Sequence, residues 1–384
     1  MNYKPLQAHS LDSTPAHAAG PHRGLLRNET DLFLPGTEGY PHYRIPSLIL
    51  AGQALLAFAE GRKQRTDHGW VDIVMKRSLD AGLTWSPLSV VQSESEGTRQ
   101  VSIGNPTPLY DDPQVALFFC RENKEILVTR SFDSGVSWSP VETIAWSRPA
   151  HWEWLAAGPP GALVTRTGRW MIPCDGFAGA KAFYSAKEVF SFVLYSDDKG
   201  VTWEQGPLLP GGNECQAAQL ADGSLLLNMR SRDAKRLFSR SEDNGVSWSS
   251  PAASTPPIYD GNCQGSMISL HEGRTLLSTT VGAGRTRLSV HVSYDYGLKW
   301  KSTVINEDPC AYSSVVSLGD LEPPTVPTKS TSEVGILFET KPSAVSTGGS
   351  RVAAHQHSKA EHLRFARLSV EPFASSPASH RDEL

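Results

Sequence analysis

The sequence is short of everything that would brace a small extracellular scaffold or hold a chain in a membrane. Five cysteines occur among 384 residues. They are an odd number, widely spaced as Cys120, Cys174, Cys215, Cys263 and Cys310, with no Cys-x-x-Cys pair. That excludes a disulfide framework and predicts a reducing compartment in which most thiols serve as small buried hydrophobes. No stretch is long and apolar enough to span a bilayer, and no short apolar helix suggests peripheral attachment. Residues 1–27 lack the apolar centre of a secretory signal, so the expected location is the cytoplasm. The terminal Arg381-Asp382-Glu383-Leu384 stands one residue from an ER-retention tetrapeptide and keeps the lumen as the alternative. Excess positive charge is missing too. The net charge is −4, and no basic stripe invites a nucleic acid or another polyanion.

What the chain has instead is a repeat. The stretch Ser131-Phe-Asp133-Ser-Gly135-Val-Ser137-Trp138 returns as Ser78-Leu-Asp80-Ala-Gly82-Leu-Thr84-Trp85, Ser196-Asp-Asp198-Lys-Gly200-Val-Thr202-Trp203 and Ser241-Glu-Asp243-Asn-Gly245-Val-Ser247-Trp248. A fifth copy, Ser293-Tyr-Asp295-Tyr-Gly297-Leu-Lys299-Trp300, has Lys at the hydroxyl position. The Asp carboxylate can accept backbone N–H groups two residues on, and the Gly supplies a positive φ, so each box closes a tight turn between strands. The Trp buries a large ring beside the turn and fastens it to the next sheet. Roughly 45 to 65 residues separate successive boxes, the length of a four-stranded propeller blade with variable loops. Five boxes imply at least five blades, and 39% hydrophobic residues suffice for one large repeat-built core. The boxes lack the alternating oxygen ligands of a calcium loop, and neither metal nor cofactor is expected.

The expected organisation is a disordered N-terminal arm over residues 1–30, one all-β propeller over residues 31–370, and a flexible tail over residues 371–384. Two polar stretches, residues 321–332 and 342–357, read as disordered insertions. A last strand over residues 363–370 is expected to close the ring beside the N-terminal strand, giving a sixth blade without a box. Charged residues gather at strand ends. Arg44 stands at the mouth of an apolar strand, Arg62 ends the next, and Asp67 follows in a polar loop; solvated strand-end charges would explain each of these singly. Glu214 and Arg230 lie at opposite ends of one hairpin, where a surface ion pair is the plain alternative. Residues 142–161, with Trp146, Trp152 and Trp154, read as a long aromatic loop that either lines a pocket or caps the core.

Tyr43-Arg44-Ile45-Pro46, Phe58-Ala59-Glu60-Gly61-Arg62 and the repeated boxes together resemble the exo-α-sialidases, six-bladed propellers with four-stranded antiparallel blades that cleave terminal sialic acid. Asn213-Glu214-Cys215-Gln216, Leu227-Asn228-Met229-Arg230-Ser231 and Pro309-Cys310-Ala311-Tyr312 resemble motifs of the same family. The resemblance runs from about Tyr40 to Val370. It implies Arg44, Arg230 and Arg285 as a clamp for the sugar carboxylate, Asp67 as acid/base, Glu214 as general base and Tyr312 as nucleophile. It also implies Glu339 as the residue orienting Arg44, Asn105 at the border of the site, Arg62 in support and Tyr184 against the glycerol side chain of the sugar. Arg285, three residues before Leu288, is preferred over Arg287, which is expected on the opposite strand face.

The chemistry asks for these residue types. Sialic acid carries a carboxylate on its anomeric carbon, so a carboxylate nucleophile would meet a like charge, at about 1–4 kcal/mol near 4 Å. A phenol avoids the repulsion but needs a base to take its proton. Sialidases with a tyrosine nucleophile depart in this way from the two-carboxylate glycosidases. The implied partners are sialylated glycans of glycoproteins, glycolipids and oligosaccharides. The rival readings are a non-catalytic propeller that binds glycans or proteins, and a transferase that passes the sugar to another acceptor. The joint presence of Tyr312, Glu214 and Asp67 speaks for catalysis.

Overall fold

The computed structural model describes residues 25–370, except 181, 271–272, 283, 320–332 and 342–361. Both expected insertions, the expected tail with its terminal tetrapeptide, and nearly all of the expected arm lie outside the described residues. The described strands form six antiparallel sheets arranged as a six-bladed propeller. Blade 1 runs through His42–Ala51, Ala54–Arg62, Val71–Ser78 and Ser89–Gln92 from the centre outward. Blade 2 comprises Ile103–Asp111, Gln114–Arg121, Glu125–Ser131 and Glu142–Thr143. Blade 3 comprises Trp152–Ala157, Trp170–Ala178, Glu188–Ser196 and Glu204–Gln205, with two short strands added. Blade 4 follows as Gly212–Gln219, Leu225–Ser231, Leu237–Ser241 and Ala252–Ala253, and blade 5 as Ser266–Ser269, Thr275–Gly282, Thr286–Ser293 and Lys301–Pro309.

Blade 6 takes Ser313–Ser317, Glu333–Thr340 and His362–Ser369 from the end of the chain and Leu26–Phe33 from its beginning. The ring therefore closes as expected, but the closing strand begins at Leu26, inside the arm expected to be disordered through residue 30. Its polar residues explain the difference. Glu29 and Asp31 meet Arg364 at 3.1 and 2.8 Å, so a segment without apolar periodicity is held by ion pairs on a sheet edge. A second departure is the aromatic loop over residues 142–161, which contains the inner strand of blade 3. Trp152 is buried against Phe190 and Phe192, at 4.6 and 5.2 Å between centroids, while Trp154 faces the central cavity.

Each box closes the turn between the third and fourth strands of its blade. Asp133 Oδ1 accepts the amide of Ser137 at 2.9 Å, and Ser131 Oγ accepts that of Gly135 at 2.8 Å. The principal amide is thus four residues on from the Asp, not two, because the turn is longer than a simple Asx-turn. The box Trp reaches the preceding blade every time. Trp138 meets Phe58 edge-on at 5.9 Å, Trp203 meets Phe118 at 5.4 Å, Trp300 stacks on Phe238 at 5.4 Å, and Trp248 packs with Met171 and Val193. Trp85 meets Phe365 at 5.1 Å and carries the pattern across the closure from blade 1 to blade 6. Strands between two blades are buried on both faces. Ala54–Arg62 is buried at all nine positions, which is why it reads as a continuous apolar run and not as an alternation.

Candidate active site

The functional side chains gather where the inner strands begin and the second strands end. The inner strands of blades 1, 2, 3 and 4 each carry a register shift at that end, between Arg44/Ser47, Gly104/Thr107, Trp152/Trp154 and Gly212/Cys215. A bulge re-aims a side chain that strict alternation would send into the blade. Ile45 and Asn105 have positive φ there, 55° and 57°.

Arg44 donates through Nε to Glu339 Oε1 at 3.1 Å and through Nη2 to Oε2 at 3.3 Å, while Nη1 reaches Asp67 Oδ1 at 3.2 Å. Glu339, fully buried, also accepts the Ile45 amide at 3.0 Å. Arg62 is held between Glu60, which it contacts through Nε at 2.8 Å, and Asp67 Oδ1, at 2.8 Å from Nη1. Glu60 in turn accepts the Asn105 amide at 2.8 Å. Asp67, unlike these partners, is exposed. Tyr312 precedes the inner strand of blade 6 and donates its hydroxyl to Glu214 Oε1. Arg230 Nη1 bridges the pair, donating to Glu214 Oε2 at 2.7 Å and to the Tyr312 oxygen at 3.3 Å. The guanidinium carbons of Arg44 and Arg285 lie 5.0 and 5.5 Å from the centre of the Tyr312 ring.

Arg285 thus joins the cluster, with Nη2 fixed to the Asn262 carbonyl at 3.0 Å. Arg287 points away to Glu307 at 3.3 Å and is half-exposed. Arg285 and not Arg287 thus lies beside Tyr312, but not for the expected reason. Residues two apart share a face in a flat strand. Arg285 and Arg287 separate because both adopt positive φ, 61° and 60°, beside a register shift between Thr286 and Leu288.

Burial pushes the Tyr312 hydroxyl well above its ordinary pKa, the charge of Glu214 pushes it further, and Arg230, Arg285 and Arg44 oppose the rise. The resting phenol is neutral, and its proton already points at Glu214. Burial disfavours charge on Arg44, but Glu339, with Asp67 and Glu60, outweighs it and holds the guanidinium charged. Three guanidiniums converge on one tyrosine, a concentration of positive charge suited to a small anion.

Residues 53–326 match the BNR repeat-like domain. Sialidase-2 of Rattus norvegicus is 30% identical over 339 residues, covering 76% of this chain and 87% of that protein. The chain is a member of the sialidase family. It is therefore a glycoside hydrolase by descent. Exo-alpha-sialidase of Aspergillus fumigatus is 28% identical over 333 residues, 73% of this chain and 77% of that protein. Among solved structures, Hadza microbial sialidase Hz136 superposes with a TM-score of 0.73 at 21% identity, covering 88% of this chain and 68% of that one. Trypanosoma rangeli sialidase in complex with sialic acid gives 0.67 at 19%, covering 88% and 58%. These two share the propeller fold.

The sialidase cavity, about 610 Å³, is lined by Asp67, Asn105, Glu214, Arg230 and Tyr312, and Tyr184 stands exposed at its rim beside Phe183. Arg44 and Arg285 stand beside the Tyr312 ring without lining the cavity, Arg62 and Glu339 lie behind Asp67 and Arg44, and Arg287 points away. Reading the sequence missed several others. Asp175, Asn213, Phe177 and Phe183 line the same cavity, and Glu60 anchors Arg62, whereas Trp154 takes the pocket-lining alternative already read for its stretch. Trp154 and Phe177 stack at 5.6 Å with an interplanar angle of 11°. Phe183 lies against two guanidiniums, Arg230 at 5.4 Å and Arg232 at 5.2 Å. Glu60 carried a signal, an acid inside a strand otherwise apolar; Asp175, in Pro173-Cys174-Asp175-Gly176, carried the same one.

Proposed function

We propose that this protein is a retaining exo-α-sialidase that hydrolyses terminal α-linked sialic acid through a tyrosyl-glycosyl intermediate. The observation that carries the reading is the Tyr312 hydroxyl donating to Glu214 inside a ring of three arginines. The sugar carboxylate sits among Arg44, Arg230 and Arg285, which fixes its anomeric carbon over the phenol oxygen. Glu214 takes the phenol proton as Tyr312 attacks, so a charged phenolate never has to exist alone in a buried site. The C–O bond to the leaving group breaks as Asp67 protonates the departing oxygen. Asp67 then takes a proton from the incoming water, whose oxygen displaces Tyr312, and the proton on Glu214 returns to the phenol. Two displacements at one carbon give net retention. The exposure of Asp67 suits a group that must meet both a leaving glycan and water.

The test is release of phenol from an aryl α-sialoside across pH 4 to 8 by the wild type and by Tyr312→Phe. Turnover by the wild type and its near-loss in a folded variant support the reading, and the α-anomer as first product, seen by NMR, supports retention. Turnover undiminished in Tyr312→Phe removes the nucleophile. Added acceptor sugar in the same assay separates hydrolysis from transfer.

A further inference from the structure

Asp175 has no role in the scheme above, yet it is a fully buried carboxyl in the wall of the cavity. It lies on the second strand of blade 3, two residues before Phe177, so the two side chains share a strand face. Its Oδ2 accepts a hydrogen bond from Asn213 Nδ2 at 2.6 Å. The Trp154 ring N–H also bears on the carboxyl group, but Oδ1 is buried with no hydrogen-bond partner within 3.5 Å. A buried polar atom left unpaired costs about 1–3 kcal/mol, and native interiors avoid it. Asp72, a buried carboxyl outside the cavity, also leaves one oxygen unpaired, so it is the position of Asp175 in the cavity wall that sets it apart. One left open among cavity-lining residues is a group that completes its hydrogen bonding with a ligand.

The surroundings fix what kind of group it is. Burial raises the Asp175 pKa well above the ordinary carboxylate range, and the neighbouring charge of Glu214 raises it again, while Arg230, Trp154 and Asn213 oppose the rise. The shift favours the protonated carboxyl, which can donate where a carboxylate could only accept. Neutrality has a second effect. A protonated Asp175 adds no negative charge to the wall that meets the anionic substrate. The stacked Trp154 and Phe177 rings keep this part of the wall apolar, which strengthens a single hydrogen bond made there.

We propose that Asp175 is a specificity-determining residue whose free oxygen, Oδ1, hydrogen-bonds to an oxygen substituent of the sugar bound between Glu214 and the Trp154–Phe177 wall. This rests on the sialidase reading and adds to it a discriminating contact outside the carboxylate clamp. A site that hydrogen-bonds a substrate oxygen rejects an analogue lacking it far more strongly than a purely apolar wall does.

The experiment measures kcat/KM for a parent aryl α-sialoside and for analogues that each lack one substituent oxygen, at C4, at the C5 acylamino group, or at C7, C8 or C9. Wild type, Asp175→Ala and Asp175→Asn are compared. Asp175→Ala is expected to lower kcat/KM for the parent at least about tenfold, mostly in KM, and to change it less than about twofold for one analogue, whose missing oxygen is the partner. Asp175→Asn, which keeps a donor, recovers most of the loss. Should Asp175→Ala fail to fold, Asp175→Ser withdraws the polar group from the cavity and carries the same comparison. An equal loss on every analogue, or no loss on the parent, overturns the proposal and leaves the sialidase reading intact. A wild type that neither turns over nor binds the parent overturns both.

Discussion

At the scale of single residues, the site separates charge from proton. Tyr312 is held neutral among arginines that would stabilise its anion, because burial and Glu214 outweigh them. Asp67 is the opposite case, an exposed acid tied to two arginines at 3.2 and 2.8 Å. If it protonates the leaving group, its removal hurts most where the leaving group is poor. Asp67→Ala is expected to slow cleavage of a natural sialyl-galactoside by about 10²–10⁴-fold and cleavage of an activated nitrophenyl sialoside by much less, as initial rates on both substrates will show. Equal losses would assign Asp67 to binding. A second residue-scale consequence concerns acid stability. Burial, aided by the charge of Arg236, lowers the His291 pKa from 6.5 to about 3. The unfolded chain then binds one more proton than the folded chain between those values, so stability falls as pH drops from 6.5 towards 3, by up to about 1.4 kcal/mol per pH unit. His291→Gln should flatten this slope in urea unfolding at pH 7, 5.5 and 4.5.

At the scale of elements, the box is both turn and latch. Gly82 has φ +86°, and a Cβ there would stand 2.2 Å from the Phe365 ring, so the turn must approach the neighbouring blade bare. The latch energy resides in the Trp. Trp138→Ala is expected to cost about 3–5 kcal/mol, whereas Val136→Ala, at the exposed tip of the same box, should cost little; paired urea melts compare them. Box Asp residues contribute through pH. The Ser137 hydroxyl and amide, with Ser131, hold Asp133 near a pKa of about 2, so its stabilisation is present above the unfolded value near 3.8 and is lost as pH falls towards 2. These boxes were legible in the sequence because the hydrogen bonds that close each turn fall within eight residues. Arg44, Arg230 and Tyr312 were legible because each stands in a distinctive local string. Asp175 and Glu60 left a weaker signal, an acid inside an apolar strand, because their partners Asn213 and Asn105 lie on other strands, and the inner strand of blade 3 was hidden because aromatic residues suit a loop and a core equally.

At the scale of the whole molecule, the site is a property of the closed ring. Asp67, Arg44 and Arg62 come from blade 1, Glu214 and Arg230 from blade 4, and Tyr312 and Glu339 from the entrance and second strand of blade 6. Blade 6 is completed by the beginning of the chain, where Asp31 sits 3.0 Å from His362 and 2.8 Å from Arg364. A chain starting at residue 34 should melt about 10 °C lower or more and lose activity in parallel, and a synthetic peptide of residues 25–33 should restore both by adding back the edge strand. Loss of stability with activity intact would show that the ring holds without its edge strand.

The same closure orders events during synthesis. Blade 1 leaves the ribosome early, but its arginines have no Glu339 to orient them and no phenol to surround until residues 312–339 have emerged. The last strand, His362–Ser369, follows later still and is the one that the first strand must find. A nascent chain therefore holds most of its blades and none of its chemistry, and catalytic activity becomes a direct readout of whether the two ends have met.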